Sequence, residues 1–357
     1  MKWAAGTSFD IINSAGNSAI AYINLGTLSL SNSESSSQGF YFKTNAEVVG
    51  TSFKTSGNLT FVPVISVSNN SNVDYRVIES SFDDRSRISV EKGSTLNVYG
   101  NLKTDDVRGM RFKVDGTFYS QNASVVYLGG GSKITGTFSA NQITFKGDSE
   151  LCGDGVINAA GSVYVDNSSL VISDNATVKL ANVAGDSRTS QIVIEKTGEL
   201  TISAKNAVSL ESGLADILVS QSRNGASLTI SADNMFGNLV FSREIYNEHL
   251  KLTVTDGAKV YFNAISFLYS TKTAKLTINN FYEGSIFFKD ISGWDNLDTV
   301  TLADADGNSY TKEELNWVAG KYNGIDGYWL STVPEPATYA TVFGALALAL
   351  AIYRRRR

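Results

Sequence analysis

Short runs in which apolar and polar residues alternate, each closed by Gly, Asn, Asp or Ser, recur along this chain as far as about Leu302. Clear examples are STLNVYG at 94–100, GTFYS at 116–120, SVYVDNSSLVIS at 162–173, QIVIEKTGELTIS at 191–203 and LKLTVTDGAKVYF at 250–262. Alternation with a period of two, carried by β-branched and aromatic residues, is typical of strands with one buried face. Helical periodicity is scarce over the same region. The pattern therefore predicts an all-β body.

Several of these runs repeat at spacings of 20 to 30 residues. The tripeptide Gly-Thr-Phe occurs at 116–118 and again at 136–138. A Leu-Thr-Ile/Val core recurs at spacings of 28, 24 and 24 residues, at Leu200, Leu228, Leu252 and Leu276. The segments 96–98 and 170–172 look like weaker earlier copies of it. One strong strand per period predicts a parallel β-helix, or β-solenoid, in which each coil stacks its apolar face on the next. An array of β-sandwiches is the alternative, because it also places a turn every 8–12 residues or so.

Composition bounds the function. The chain has 357 residues, and 42% of them are hydrophobic, which is enough to form a core. Its formal net charge of −5 argues against a nucleic-acid-binding protein, because there is no basic excess to neutralise phosphates. Cys152 and His249 are the only residues of their types, so the sequence offers no internal disulfide and no His/Cys cluster for a metal ion. We expect no cofactor.

The last 25 residues carry three features in a fixed order. Pro334 and Pro336, two of only three prolines in the chain, flank Glu335, and a charge-free run follows at 337–353. Four arginines at 354–357 close the chain. A helix over the charge-free run would rise about 25 Å, close to the ~30 Å thickness of a bilayer core. The run therefore predicts a transmembrane helix with its arginines on the cytoplasmic side and the body outside.

This tail resembles the PEP-CTERM sorting signal of bacterial exosortase substrates. The residues that carry the resemblance are the motif and the basic end: Val333, Pro334, Glu335, Pro336, Arg354, Arg355, Arg356 and Arg357. The resemblance implies that a membrane-embedded exosortase cleaves near the two prolines and passes the body from the inner membrane to the cell surface. Exported proteins of this kind begin with a signal peptide. Residues 1–30 show no suitable apolar stretch, so we expect the natural start to lie upstream.

We predict three regions: a β-solenoid body at 1–302, a C-terminal cap at 303–332 and the sorting signal at 333–357. Thr311 and Glu314 have the spacing of a capping box, so a short helix is expected after them, with Gly320 as its stop. A last strand is expected at 327–331. These elements would cover the open end of the solenoid. In rhythm and composition the body is similar to the β-helical passenger regions of autotransporters, which implies a surface protein.

Two charged clusters precede predicted strands: Asp83, Asp84, Arg85 and Arg87, then Asp105, Asp106 and Arg108. Polysaccharide lyases and hydrolases with a parallel β-helix present acids and bases on neighbouring coils. Paired carboxylates also serve glycoside hydrolysis when they are held at a suitable separation. A charged turn on a solenoid is more often a solvated loop, and we interpret both clusters in this way.

Four further candidates have weaker support. Asp304–Asn308 looks like the start of a calcium loop, but positions 309 and 315 lack the Gly and Glu of an EF-hand, so we interpret it as a carboxylate-rich turn. His249 has no partner in the sequence, and Cys152 is interpreted as a small buried or turn residue. The three glycines at 129–131 are interpreted as a loop, because no helix adjoins them to form an anion site.

The leading hypothesis is a non-enzymatic structural or adhesive protein of the cell surface or extracellular matrix. Its partners would be an exosortase-type processing enzyme, the inner membrane, and glycans or matrix polysaccharide bound through many weak contacts, but no nucleic acid. The alternative is an exported carbohydrate-active enzyme, either a polysaccharide lyase or a glycoside hydrolase. Acids from different coils that converge in one groove would favour the enzyme.

Overall fold

The structure is a computed structural model that describes residues 38–55, 63–123, 125–181, 190–242, 247–255, 257–269 and 273–332, with three short strands before them. Over these residues the chain winds into a parallel β-solenoid of about ten turns with almost no helix. The predicted all-β solenoid is confirmed. The β-sandwich alternative is wrong, because strands on successive coils pair in parallel. The division of the chain into three regions stays a prediction.

Strands are numbered in chain order, and over the described residues they form four sheets. Sheet A contains β1 (Phe9–Ile11), β4 (Gln38–Phe42), β6 (Pro63–Val67), β8 (Arg87–Val90), β11 (Arg111–Val114), β14 (Ser132–Ile134), β17 (Ser149–Leu151), β20 (Ser169–Ile172), β23 (Glu199–Ile202), β26 (Ala226–Ile230), β29 (Glu248–Val254), β32 (Ala274–Phe281), β34 (Thr299–Asp304) and β35 (Ser309–Thr311). Sheet B contains β2 (Ala21–Asn24), β3 (Thr27–Leu30), β5 (Ala46–Thr55), β7 (Asn72–Ser81), β9 (Thr95–Val98), β10 (Asn101–Lys103), β12 (Thr117–Ser120), β15 (Thr137–Ala140), β18 (Val156–Ala159), β21 (Thr177–Leu180) and β24 (Val208–Leu210).

Sheet C contains β13 (Val126–Leu128), β16 (Ile143–Phe145), β19 (Val163–Asp166), β22 (Gln191–Glu195), β25 (Asp216–Ser220), β28 (Leu239–Phe241) and β31 (Ile265–Phe267). Sheet D contains β27 (Asn234–Met235), β30 (Val260–Phe262), β33 (Ile286–Phe288), β36 (Leu315–Tyr322) and β37 (Ile325–Thr332). Two single turns of 3-10 helix are present, η1 (Trp294–Asn296) and η2 (Lys312–Glu314). Coils from β11 to β25 follow the order A, B, C, and after β26 sheet D takes the place of sheet B.

The core is built from rows of apolar side chains that run along the solenoid axis. In sheet A one continuous row of register partners contains Leu170, Leu200, Leu228, Leu252, Ile278 and Leu302. All of these side chains are buried. Parallel pairing holds successive members about 4.8 Å apart, so each side chain packs on its equivalent in the next coil. Burial of these rows is the main source of stability of the fold.

The structure confirms part of the predicted repeat and corrects part of it. Leu200, Leu228 and Leu252 are register partners as expected, but Leu276 pairs with Leu250 rather than with Leu252. The two-residue error is invisible in the alternating pattern, because a shift of two keeps the same side chains facing inward. Segment 170–172 does belong to the same row.

The Gly-Thr-Phe repeat marks a second face of the coil. Phe118 and Phe138 are register partners in sheet B, and their rings stack with centroids 4.7 Å apart. Leu96 pairs with Phe118, so segment 96–98 also lies in sheet B. The expectation that 96–98 is an early copy of the sheet A core is therefore wrong. Both sheets have one buried face, so both produce the same alternation.

The C-terminal cap is a β-hairpin, and the predicted helix after Thr311 is wrong. Glu314 does accept hydrogen bonds from the Thr311 amide (2.7 Å) and hydroxyl (3.0 Å), but only the single turn η2 forms. The chain then alternates buried and exposed side chains through β36, which is a strand pattern. A two-residue Asn323-Gly324 turn with positive φ at both positions leads into β37. The strand predicted at 327–331 is confirmed within β37.

Gly320 lies inside β36 instead of ending a helix. It pairs with Gly327, and a Cβ atom at position 320 would come within 2.7 Å of the Trp329 indole. The hairpin covers the last coils with aromatic rings: Trp317 contacts Trp294 edge-on at 4.9 Å, and Trp329 contacts Phe287 at 5.0 Å. The antiparallel hairpin therefore closes this end of the core.

Asparagine is used at the corners of the coils. Among the described non-glycine residues with positive φ, most are Asn or Asp: Asn69, Asn70, Asn167, Asp174, Asn206, Asn280 and Asn323, beside Lys196 and Gln221. Asn and Asp tolerate the left-handed region better than other side chains, because they can bond to nearby backbone groups. The Asn-rich composition thus follows from the number of tight corners.

One corner holds a buried ion cluster. Asp166, at the end of β19, receives Lys146 and Lys196 from the two neighbouring coils, each ammonium 2.5 Å from a different carboxylate oxygen. Desolvation is the largest single influence and raises the pKa of Asp166, but the hydrogen bonds and charges of the two lysines together outweigh it and lower that pKa. Nearby, burial first and then the Asp166 carboxylate raise the pKa of Glu195. Asp166 therefore ties three coils together as a charged residue.

Asp166→Asn is expected to lower the free energy of unfolding by roughly 3 kcal/mol at neutral pH, because two partly buried ammonium groups lose their counter-charge. The folded pKa lies below the ordinary value of about 3.9, so this stabilisation is complete above that value and is lost as the pH falls through the folded pKa. Denaturant titrations at neutral pH and at about pH 3 should show the difference between the two proteins shrinking in acid.

The matched control is Asp326→Asn, which removes an exposed partner of Lys321 at 3.2 Å. An exposed pair contributes less than about 1 kcal/mol, so this variant should be close to the unmodified protein at both pH values. Equal losses in the two variants would contradict the assigned role of Asp166.

Candidate functional site

A groove of about 370 Å³ lies at the corner of the solenoid that leads into sheet A. Three successive coils form it, through the turns that precede β8, β11 and β14. Its lining residues are Asp84, Arg85, Arg87, Arg108, Gly109, Arg111, Gly129 and Gly130. The structure thus brings together members of both charged clusters that the sequence separates by more than twenty residues.

Strand register sets the position of two of the arginines. Arg87 and Arg111 begin β8 and β11 and are direct register partners. Their neighbours Ile88 and Phe112 are fully buried, so the alternation of the strand turns both arginines outward. One rung of about 4.8 Å separates their backbones, which places two guanidinium groups side by side on the outer face.

The acids of the two clusters divide into different roles. One Asp83 carboxylate oxygen accepts hydrogen bonds from the amides of Arg85 and Ser86, both at 3.1 Å, which fixes the turn before β8. Asp105 does the same one coil later, where it accepts from the amide of Arg108 at 2.6 Å. Asp83 and Asp105 therefore shape the turns. Of the four predicted acids, only Asp84 lines the groove.

The wall of the groove is backbone that no side chain could replace. Gly109 has φ of +67°, and a Cβ atom there would lie 2.5 Å from the amide nitrogen of Gly129 on the next coil. The buried Ser132 hydroxyl donates to the Gly129 carbonyl at 2.7 Å, and the Arg111 Nε donates to the Gly130 carbonyl at 3.1 Å. The glycines at 129–131 do form the predicted loop, and two of them also line the groove.

The groove carries a concentrated positive charge. Four guanidinium groups and one carboxylate line it, and arginine stays protonated at every physiological pH. Asp84 pairs with Arg108 at 2.9 Å, and the Arg108 side chain is still 76% exposed. Arg85 and Arg111 are exposed as well. The remaining guanidinium donors face solvent in a protein whose net charge is −5.

The basic region extends a short way along the outer face of sheet A and then ends. Lys113 lies two residues beyond Arg111 and is the register partner of Lys133. Lys133 in turn pairs with Glu150 at 3.0 Å. The next depression along the solenoid is lined by Asp148 and Glu150, so the sign of the charge changes within two coils.

This arrangement is suited to binding an anion. An arginine can form two parallel hydrogen bonds to a carboxylate, sulfate or phosphate group, and several arginines on adjacent rungs can engage several such groups. Asp84 is the one acid among the described residues that line the groove, so the lining set lacks the second carboxylate of a typical glycosidase pair.

His249 lies elsewhere, on the outer face of β29. Its Nε2 is 3.0 Å from the Thr277 hydroxyl on the next coil. Burial first, and then the charges of Lys251 and Lys275, lower the pKa of His249 below its ordinary value. The imidazole is therefore neutral at neutral pH and serves as a hydrogen-bonding residue between coils.

Asp304–Asn308 forms the carboxylate-rich turn that the sequence predicts. Both Asp304 oxygens accept hydrogen bonds within the loop, from the Asn308 amide and side chain (both 2.8 Å) among others. The Asn308 side chain is the largest of the influences that lower the pKa of Asp304. No group of three or more His, Cys, Asp or Glu residues is arranged to hold a metal ion within the described part of the chain. Cys152 is half-buried in the turn after β17.

A shallow depression of about 410 Å³ lies on the outer face of sheet B. Tyr119, which is 40% exposed, stands at one end of a row of small polar side chains that includes Ser139 and Asn158. An exposed aromatic ring beside amide and hydroxyl groups suits stacking and hydrogen bonding with a sugar. This surface agrees with the predicted Ser/Thr/Asn-lined face.

The predicted sorting motif (Val333, Pro334, Glu335, Pro336) and basic end (Arg354, Arg355, Arg356, Arg357) lie outside the described residues. Within those residues, no helix has the length and apolar character needed to cross a bilayer. The charge-free run at 337–353 is likewise outside them.

Sequence reasoning found Asp84, Arg85, Arg87 and Arg108 but missed that they meet, and it missed Arg111 entirely. A usable signal was present: Arg87 and Arg111 are 24 residues apart, the same spacing as two intervals of the Leu-Thr-Ile/Val repeat. In a solenoid, residues one coil apart stack on each other.

Comparison with known proteins finds no match to this chain among protein-family models, curated proteins or solved structures.

Gly109→Ala is expected to destabilise the protein more than Gly153→Ala does. The two glycines have similar φ values, +67° and +62°, so the alanine pays a similar left-handed strain of about 1–2 kcal/mol at both sites. Only Gly109 also faces backbone atoms of the next coil at 2.5 Å, whereas nothing lies within 4 Å of a Cβ at 153. Denaturant unfolding of both variants measures the difference, and equal losses would contradict the close coil contact at the groove.

Proposed function

We propose that this protein is an exported structural or adhesive component of the bacterial cell surface or extracellular matrix, sorted by a C-terminal exosortase-type signal. The observation that carries the proposal is the long solenoid itself, whose outer faces present polar side chains on successive rungs beside shallow depressions. Such a surface suits many weak contacts with an extended partner. The PEP-CTERM-like tail supports export, because its motif, apolar run and basic end follow the cap directly in sequence.

On this proposal the tail has a transient role. The helix at 337–353 would hold the protein in the inner membrane until a processing enzyme cleaves near Pro334 and Pro336. The two prolines support this, because they keep their segment extended and thereby accessible to a protease. The solenoid, closed at its C-terminal end by the hairpin β36–β37, would then be the mature surface protein.

The intact mass of the protein recovered from its native host tests the sorting step. We expect a mass that lacks the residues beyond the Pro334–Pro336 region. A mass that still includes Arg357 would contradict processing and favour a protein that stays anchored through its C-terminal helix. A variant with Pro334→Ala and Pro336→Ala is the control, since it should retain the full tail.

A carbohydrate-active enzyme is the second candidate, and one observation favours it. The groove gathers an acid and four arginines from neighbouring coils, as a polysaccharide lyase or hydrolase on this scaffold would require. The lack of a paired carboxylate in the lining favours binding over glycoside hydrolysis. Asp84 would be the residue that an enzyme depends on.

Chain length of acidic and neutral polysaccharides after incubation with the purified protein separates the two candidates. An adhesive protein should leave the polymers intact. An enzyme should shorten them, and Asp84→Asn should then slow cleavage by about 100-fold or more, the usual loss when a general acid or base is removed. Asp326→Asn, which changes an exposed acid on the distant hairpin, is the matched control. Cleavage that depends on Asp84 would overturn the adhesive proposal.

A further inference from the structure

We propose that the arginine-lined groove binds the acidic groups of an anionic polysaccharide, with Arg87 and Arg111 as the central contacts. This inference rests on the proposed surface function and names the class of ligand at the groove. The shared chemistry is an anionic oxygen group on a sugar, and its sources are the carboxylates of uronic acids or sulfate esters.

The first argument is the cost of the charge. Like charges on directly opposed strand positions repel each other, and Arg87 and Arg111 are register partners. Arg85 and Arg108 add two more cations to the same groove, with Asp84 as its one lining acid. A bound anion would remove this repulsion.

The second argument is geometry. Arg111 is oriented by its Nε bond to the Gly130 carbonyl, which leaves its terminal guanidinium nitrogens for a ligand. Arg108 uses its Nη1 for Asp84 and keeps further donors exposed. Planar guanidinium groups in fixed positions match the two oxygens of a carboxylate, so a uronic acid is the better fit of the two sources.

The third argument is extent. A groove of about 370 Å³ has the size of a small-ligand site and could hold only a short part of a polymer at a time. The cations at Lys113 and Lys133 continue from the groove across the face of sheet A, so a linear polyanion could reach them in the same pose. Acidic residues begin again at Glu150.

A nucleic acid is the less favourable occupant. Its recognition depends on neutralising many phosphates over a wide basic face, and this chain has a net charge of −5 and a basic region bounded by Asp148 and Glu150. The bounded strip suits a thin polymer instead.

The experiment measures affinity of the purified full-length protein for polygalacturonate, dextran sulfate, unmodified dextran and a short DNA duplex, by biolayer interferometry at two salt concentrations. We expect binding to polygalacturonate, with or without dextran sulfate, and none to unmodified dextran. Preference between the first two polymers identifies carboxylate or sulfate as the source of the anion.

Three variants connect the binding to the groove. Arg87→Gln combined with Arg111→Gln should weaken binding by at least about tenfold and make it less sensitive to salt, because two charge-assisted contacts are lost. Arg223→Gln, which removes an exposed arginine in the distant turn between β25 and β26, should bind as the unmodified protein does. Asp84→Asn should bind a few-fold more tightly, because it removes the one negative charge from the lining.

The Asp84→Asn result protects the test against misfolding, since a gain in affinity cannot come from loss of structure. Absence of binding to both acidic polysaccharides would overturn the proposal, as would binding that is unchanged in the double arginine variant. DNA binding as tight as polysaccharide binding, lost in the same variant, would overturn the ligand class. These outcomes do not depend on whether the tail is cleaved, so they are separate from a failure of the sorting proposal.

Discussion

The parallel, in-register backbone ladder between successive coils is the constraint on which the rest of this structure depends. Each strand of sheets A, B and C pairs with its equivalent one coil away, at a separation of about 4.8 Å. That separation forces equivalent side chains to stack, so every inward position must be apolar and similar in size along its row. The row from Leu170 to Leu302 meets this requirement. Where the ladder turns a corner, it demands residues that tolerate positive φ, which accounts for the abundant Asn and Gly.

The same stacking acts on the outer face, where it converts spacing in sequence into a surface. Arg87 and Arg111 become neighbours because one coil separates them, and Gly109 and Gly129 let their corners approach closely enough to form a concave wall. Elsewhere the stacking of charges is balanced, as in the cluster of Asp166 with Lys146 and Lys196. In the groove it is not balanced within the lining residues. The physical difference between these two corners is what distinguishes a stabilising cluster from a candidate binding site.

The fold and some of the register could be predicted from the sequence, because alternation and coil-length repeats are direct consequences of the ladder. Phe118 and Phe138 show this best. The offset of Leu276 could not be predicted, since a shift of two leaves the pattern unchanged. The capping box at Thr311 gave a wrong helix, because a local signal competed with the alternation of β36 and with the Asn323-Gly324 hairpin turn. The groove escaped prediction for a different reason: convergence depends on exact coil length at the corner, and loops of unequal length hide it.

The measurement that tests this account most directly is disulfide formation between cysteines placed at Arg87 and Arg111, in a protein that also carries Cys152→Ser. Register partners on adjacent rungs lie within the Cα separation of about 4.4–6.8 Å that a disulfide accepts. The account predicts rapid cross-linking of Arg87→Cys with Arg111→Cys under mild oxidation. It predicts little or none for Arg87→Cys with Lys113→Cys, because Lys113 pairs with Ser89, two residues further along the strand. Equal cross-linking of the two pairs, or none in the first, would contradict the stacked register that forms both the solenoid and its groove.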